Sequence, residues 1–169
     1  LLFIPLTLAH QITDAHRLLH TVIGFVCFCL VASSVYLSND LLDLKSDRLH
    51  STKKTRPLAA GTLPIQTGMV AAIVLLLAAF ALAHLQPREF MVILLGYWTL
   101  TVLYSLLLKR LFFLDLLTLA SLYSLRLEAG AEAAQVNASI WLLGFSMTLF
   151  FGLAALKRVV ELSKSTHAA

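Results

Sequence analysis

Val70-Ala71-Ala72-Ile73-Val74-Leu75-Leu76-Leu77-Ala78-Ala79-Phe80 contains no polar side chain. A helix on the surface of a water-soluble bundle needs a polar stripe along one face. This run is apolar all round, the pattern of a helix solvated by lipid or wholly enclosed by protein. Working outward, apolar runs occur at residues 18–37, 67–85, 90–108, 114–127 and 139–156, and none has an internal Pro. Each reads as an α-helix, the open-ended element that satisfies its own backbone in hydrocarbon. The fourth is the shortest, with Arg126 near its end and Glu128 just beyond it.

Composition agrees with that reading. Of 169 residues, 59% are hydrophobic and 13% charged, with a mean hydropathy of +0.86. Soluble domains carry about a quarter charged residues, so disorder is excluded and a polytopic membrane protein is indicated. At about 20 residues per span the length allows five or six helices. Seven Gly and four Pro exclude collagen-like or low-complexity chains. Cys27 and Cys29 lie two apart in an apolar run. On a helix they point about 200° from each other, which reads as lipid- or core-facing filler, with metal binding the remote alternative.

The expected fold class is therefore all-α, a transmembrane helical bundle with five full helices and a partial first one. Residues 1–9 are apolar and open on Leu1 with no basic segment ahead, which reads as the end of a helix. The chain closes shortly after Lys157-Arg158-Val159-Val160-Glu161. The expectation is one membrane domain over residues 1–169, incomplete at both ends.

Basic residues set the orientation. The connections after the first, third and fifth full spans hold ten: Lys45, Arg48, Lys53, Lys54, Arg56, Lys109, Arg110, Lys157, Arg158 and Lys164. The opposite connections hold two, Arg17 and Arg88, and Arg126 lies within a span. By the positive-inside rule the ten-residue side is cytoplasmic. These cations flank membrane spans, and no nucleic-acid partner is implied.

The longest polar segment, residues 38–57, holds three of the nine acidic residues, in the spacing Asn39-Asp40-x-x-Asp43-x-x-x-Asp47. If the preceding helix continues, 40, 43 and 47 share one face over about 10 Å. Like charges in that register repel by about a few tenths of a kcal/mol per adjacent pair, even when exposed. A hard cation resolves the repulsion; Mg²⁺ takes carboxylate oxygens and bridges to substrate phosphates. The competing reading is a solvated helix end, with the Asp side chains paired to Lys45, Arg48 or Lys53. Lys53, Lys54 and Arg56 follow, then Pro57. As positive-inside flank they need no further role, but beside a carboxylate stripe Lys53 and Arg56 suit the outer oxygens of a diphosphate.

Taken together, Asn39-Asp40-x-x-Asp43-x-x-x-Asp47 and Lys53-x-x-Arg56-Pro57-Leu58-Ala59-x-Gly61 resemble the first signature of the UbiA superfamily of intramembrane prenyltransferases. The resemblance implies an all-helical fold, typically of nine transmembrane helices, around a cavity open sideways to lipid. It implies a bacterial or archaeal inner or plasma membrane location, with cytoplasmic aspartate motifs that bind Mg²⁺ and the substrate's diphosphate. A second aspartate motif is absent, since the only later Asp is Asp115. Lys157-Arg158-x-x-Glu161, Tyr104-Ser105-x-x-x-Lys109, Asp115 and Arg126-x-x-Ala129-Gly130-Ala131 instead resemble the polyprenyl-phosphate (decaprenyl-phosphate) phosphoribosyltransferase branch. That branch transfers 5-phosphoribose from phosphoribosyl diphosphate to a polyprenyl phosphate, and some related chains carry a soluble hydrolase-like domain ahead of the membrane part.

The resemblance assigns Asp40, Asp43 and Asp47, with Asn39, to metal and catalysis. It assigns Lys53, Arg56, Lys109, Arg126, Lys157, Arg158 and Glu161 to phosphate and substrate. Asp47 is also a candidate to orient ribose hydroxyls. Lys157 and Glu161, four apart, equally suit a simple ion pair at a helix end. Arg126, inside a span, calls for a polar cavity or a partner, with Asp115 or Glu128 as the candidates. Tyr36, Tyr97, Trp98 and Tyr104 suit either the cavity lining or an interfacial aromatic belt, with the belt favoured, and His50 suits a solvated loop ahead of a phosphate contact. The rival reading is an aromatic prenyltransferase with a polyprenyl diphosphate donor. More distant ones are a cation transporter and a non-catalytic membrane protein.

Overall fold

The computed structural model describes residues 1–167, apart from the side chains of Arg110, Phe112, Glu161, Leu162 and residues 164–167. Its regular elements are helical: α1 (Ile4–Leu8), α2 (Ala15–Leu42), α3 (Leu44–Leu49), α4 (Ile65–Ala83), α5 (Arg88–Leu106), α6 (Phe112–Ala134) and α7 (Ile140–His167), with 3₁₀ turns at Lys53–Thr55 and Leu108–Arg110. The five expected spans correspond to α2, α4, α5, α6 and α7. Short α1 stands where the partial helix was expected.

α4 shows why the deciding run is apolar all round. Its small residues Ala72, Ala79 and Ala83 are buried, whereas Val70, Ile73, Val74 and Leu77 are all more than half exposed. Small residues inside let helix backbones approach closely, and large ones outside meet lipid tails. Four helices are long and apolar enough to cross a membrane: α2, α4, α5 and residues Ile140–Val160 of α7. α6 is as long, but carries Asp115, Arg126, Glu128 and Glu132. It packs against α1, α2, α5 and α7, so protein rather than lipid solvates much of its polar surface.

The core lies where α2, α5 and α6 meet. Phe28 contacts Phe90 edge-on and Tyr97 at a tilt, with centroids 6.0 and 4.7 Å apart. Leu94, Leu122, Ala129 and Ala133 close the cluster. Cys27 is buried in it and Cys29 exposed, as their opposed directions require.

Polar clamps fasten the end of the bundle that holds the α6–α7 connection. Asp14 caps α2, accepting from His16 N at 3.0 Å and Arg17 N at 3.2 Å. The Arg17 backbone bond, helped by that of His16 and by the Arg17 guanidinium, holds the Asp14 carboxyl below its usual range. The cap's stabilisation is present at neutral pH and is lost as pH falls through that depressed value. Arg17 also donates to the Ala134 and Gln135 carbonyls at 3.2 and 2.9 Å. Those groups end α6, where Gln135 turns left-handed (φ 52°), and terminal carbonyls need such partners.

Gly130 lets α1 dock. A Cβ there would meet the Leu2 backbone, with Leu2 Cα at 2.7 Å. Gly130→Ala is expected to destabilise the protein by about 1–3 kcal/mol, read as a lowered unfolding midpoint in detergent. At Gly96 an added Cβ meets nothing within 4 Å, so Gly96→Ala should leave the midpoint unchanged or raise it.

Candidate functional site

The acidic segment does not form one continuous helix. α2 ends at Leu42 and Asp43 is its C-cap, with α3 beginning at Leu44. Helical bonding nonetheless continues across the break: Asp43 N donates to the Asn39 carbonyl and Asp47 N to the Asp43 carbonyl, both at 2.9 Å. Asp40 and Asp47 therefore face the same point from two helices, while the Asp43 side chain is exposed at the kink. The shared stripe of three carboxylates is corrected to a converging pair with a third beside it. Among the described residues no group of three acidic, His or Cys side chains is arranged to hold a metal.

Arg56 occupies the point of convergence. Its Nη1 donates to Asp40 Oδ1 and Asp47 Oδ2, both at 2.8 Å. The partner of the carboxylates is thus the residue expected on the diphosphate, not Lys45, Arg48 or Lys53. The loop delivers Arg56 through local chemistry. His50 Nδ1 accepts from Thr52 N at 3.3 Å and so organises the turn Lys53–Thr55. Gly61 takes φ +77°, and buried Leu58 packs so closely on Gly68 of α4 that a Cβ there would lie 2.8 Å from Leu58 Cδ2. Lys53 is exposed on its turn.

The Asp47 side chain is 3% exposed and that of Arg56 40%. Removing the partner of a fully buried charge costs about 3–5 kcal/mol. With solvent at the guanidinium, Arg56→Gln is expected to cost about 1–3 kcal/mol, measured by thermal unfolding in detergent. Arg56→Lys should retain part of this, because one nitrogen serves both oxygens. As a donor set, the pair fits a hard divalent cation: the oxygens are carboxylate and converge where a positive charge already resides.

One residue before Asp40, Asn39 lines a cavity of about 270 Å³ between α2, α5 and α6, together with Tyr97, Tyr104, Lys109, Tyr123 and Arg126. Ser105 Oγ donates to Asn39 Oδ1 across it. Arg126 Nη2 donates to Tyr97 Oη at 2.6 Å, and its guanidinium lies 5.3 and 5.5 Å from the Tyr97 and Tyr123 ring centres. The expected cavity is present, but Arg126 is held by aromatic faces and a tyrosine hydroxyl, not by Asp115 or Glu128. Two faces and a hydroxyl satisfy a guanidinium without cancelling its charge. Tyr97 is buried and Tyr104 faces the cavity, so neither forms an interfacial belt. Trp98 packs edge-on against Phe80, with centroids 6.4 Å apart. Sequence reading missed Tyr123, although its place three residues before Arg126 on one helix face was the available signal.

A second cavity of about 250 Å³ adjoins the first. It is lined by Tyr104, Lys109, Asp115, Lys157 and Arg158, so the structure gathers Lys109 of the α5–α6 connection with two cations of α7. Tyr104 Oη donates to Asp115 Oδ1 at 2.8 Å. Asp115 has its partner here rather than at Arg126. The Glu161 side chain lies outside the described residues.

The sequence matches the model of the UbiA prenyltransferase family over residues 2–162. It is 38% identical over 161 residues to an uncharacterised protein of Sinorhizobium fredii, covering 95% of this chain and 31% of that one. To the nodulation protein NoeC of Azorhizobium caulinodans it is 35% identical over 97% of this chain and 53% of the relative. To the decaprenyl-phosphate phosphoribosyltransferase of Mycolicibacterium smegmatis it is 35% identical over 83% of this chain and 44% of the relative. The chain thus spans between 31% and 53% of the length of these relatives. Helical architecture, carboxylate signature and family match coincide over nearly the whole sequence: the chain belongs to the UbiA prenyltransferase family.

Proposed function

We propose that the chain forms part of a Mg²⁺-dependent integral membrane transferase. It moves 5-phosphoribose from phosphoribosyl diphosphate to a polyprenyl phosphate, with the carboxylate end of the bundle in the cytoplasm. The observation that carries the reading is the convergence of Asp40 and Asp47 on Arg56, with Asn39, the residue before Asp40, lining the first of two adjoining cavities that hold Lys109, Arg126, Lys157 and Arg158. The relatives named phosphoribosyltransferases support the choice of donor.

In this reaction the anomeric C–O bond to diphosphate breaks and the diphosphate leaves with the electron pair. An acceptor phosphate oxygen forms the new bond to the same carbon. A phosphate monoester is already a competent nucleophile, so no strong base is required. Asp40, Asp43 and Asp47, with Asn39, are assigned to hold the divalent cation, which when bound supplies countercharge for the leaving group. Arg56, exchanging its carboxylate partners for phosphate oxygens, adds to that countercharge together with Lys53, Lys109, Lys157 and Arg158. Arg126 holds positive charge in the membrane-embedded cavity for an anionic substrate group, and Glu161 is assigned to orient the cations of α7. The polyprenyl tail stays in the bilayer while the water-soluble donor enters from the cytoplasm.

The test uses the full-length protein in detergent with Mg²⁺, a polyprenyl phosphate and ribose-labelled phosphoribosyl diphosphate. Label should pass to the lipid phase as inorganic diphosphate is released. Label that stays aqueous, with product formed instead from a polyprenyl diphosphate and an aromatic acceptor, would establish the prenyltransferase reading.

A further inference from the structure

The two cavities share Tyr104, Lys109 and Leu119 as common wall. Their lining includes Lys109, Arg126, Lys157 and Arg158 and, among the described residues, a single carboxylate, Asp115. Asp115 is buried, at 7% exposure. A buried carboxylate beside an anion site repels the ligand it adjoins, so its presence needs a reason. Its place in the first turn of α6 is favoured by the helix dipole. That accounts for an acid in this turn, but not for one turned into the cavity wall and fixed there by a tyrosine of another helix. Tyr104 of α5 donates to one oxygen, Oδ1. A carboxylate accepts about four hydrogen bonds in all, so this contact orients Asp115 while leaving it capacity to accept from a ligand.

A ligand that satisfies both the cations and the carboxylate carries phosphate and also hydroxyl donors. Resting on the phosphoribosyl reading above, we propose that Asp115 is the specificity-determining residue for the transferred group. It accepts a hydrogen bond from a sugar hydroxyl, with Tyr104 as its positioning residue. Asp47, the earlier candidate for that role, is assigned with Asp40 to the divalent cation. Asp115, Leu119, Leu122 and Arg126 recur at helical spacing along the cavity-lining side of α6, which places the hydroxyl reader and the embedded cation on one continuous wall. A prenyl donor has no hydroxyl to offer. Binding it would leave the carboxylate desolvated and unmatched, so the same residue that favours a sugar disfavours an isoprenoid.

The experiment compares binding of inorganic diphosphate and of phosphoribosyl diphosphate to the full-length protein in detergent with Mg²⁺, by titration calorimetry. Wild type should prefer phosphoribosyl diphosphate. Asp115→Asn should lose about 10- to 100-fold of that preference while binding inorganic diphosphate at least as tightly as wild type, since a repelling charge is removed. Tyr104→Phe should lose a smaller part. A wild type with no preference would overturn the phosphoribosyl reading itself. A wild-type preference kept in full by Asp115→Asn would overturn only the role of Asp115. If Asp115→Asn fails to bind inorganic diphosphate, Tyr104→Phe decides. Loss of preference with diphosphate binding intact upholds the pair as hydroxyl reader; loss of both, or of neither, overturns it.

Discussion

Asp40→Asn and Asp47→Asn are each expected to lower the transfer rate by about 10²–10³-fold, the scale for removing one preorganised group that stabilises developing charge. The two variants should differ in stability. Asp40→Asn leaves the Asp47–Arg56 ion pair intact at 2.8 Å, so its unfolding midpoint in detergent stays near wild type. Asp47→Asn places an amide where a carboxylate 3% exposed met the guanidinium. Arg56 keeps only Asp40, and the midpoint should fall. Measuring rate and midpoint together separates loss of chemistry from loss of fold. Asp40→Asn within tenfold of wild-type activity would remove the converging pair from the reaction.

Arg126 should behave in the opposite way. A charge at mid-helix costs about 2.5–3.5 kcal/mol on insertion scales, and two tyrosine faces with one hydroxyl return part of that. Arg126→Leu is therefore expected to keep or raise the unfolding midpoint while transfer falls by about 10²-fold. Arg126→Lys should restore little, because a compact ammonium reproduces neither the planar stacking against Tyr97 and Tyr123 nor the directed bond to Tyr97 Oη. Loss of stability with transfer retained would make Arg126 a structural residue.

Much of this was legible from residue order because it rests on local rules. An all-apolar run such as residues 70–80 has few solutions besides a lipid-facing helix, and α4 takes the expected one, with alanines inside and larger residues outside. Helix α6 shows the limit of composition. Its central packing, visible only in three dimensions, is what allows Asp115, Arg126, Glu128 and Glu132 on one long helix. Within the site, the register of 40, 43 and 47 singled out the segment, but helical spacing alone did not reveal the break between α2 and α3 at Asp43 or the return of Arg56. The return of Arg56 goes with Leu58 packing against Gly68, a contact between a loop and the next helix. The partners of Arg126 and Asp115 were misjudged for a related reason. Charge complementarity favoured pairing them with each other or with Glu128, whereas the packing of α5 against α6 presents tyrosine hydroxyls to both.

The most direct test of the central claim is the binding of inorganic diphosphate to the full-length protein, with and without Mg²⁺, in wild type and in Asp40→Asn. Saturable binding that requires Mg²⁺ and disappears in Asp40→Asn is the predicted result. Binding of equal strength without Mg²⁺, or unchanged in Asp40→Asn, would contradict the assignment of this carboxylate pair to a metal-held diphosphate.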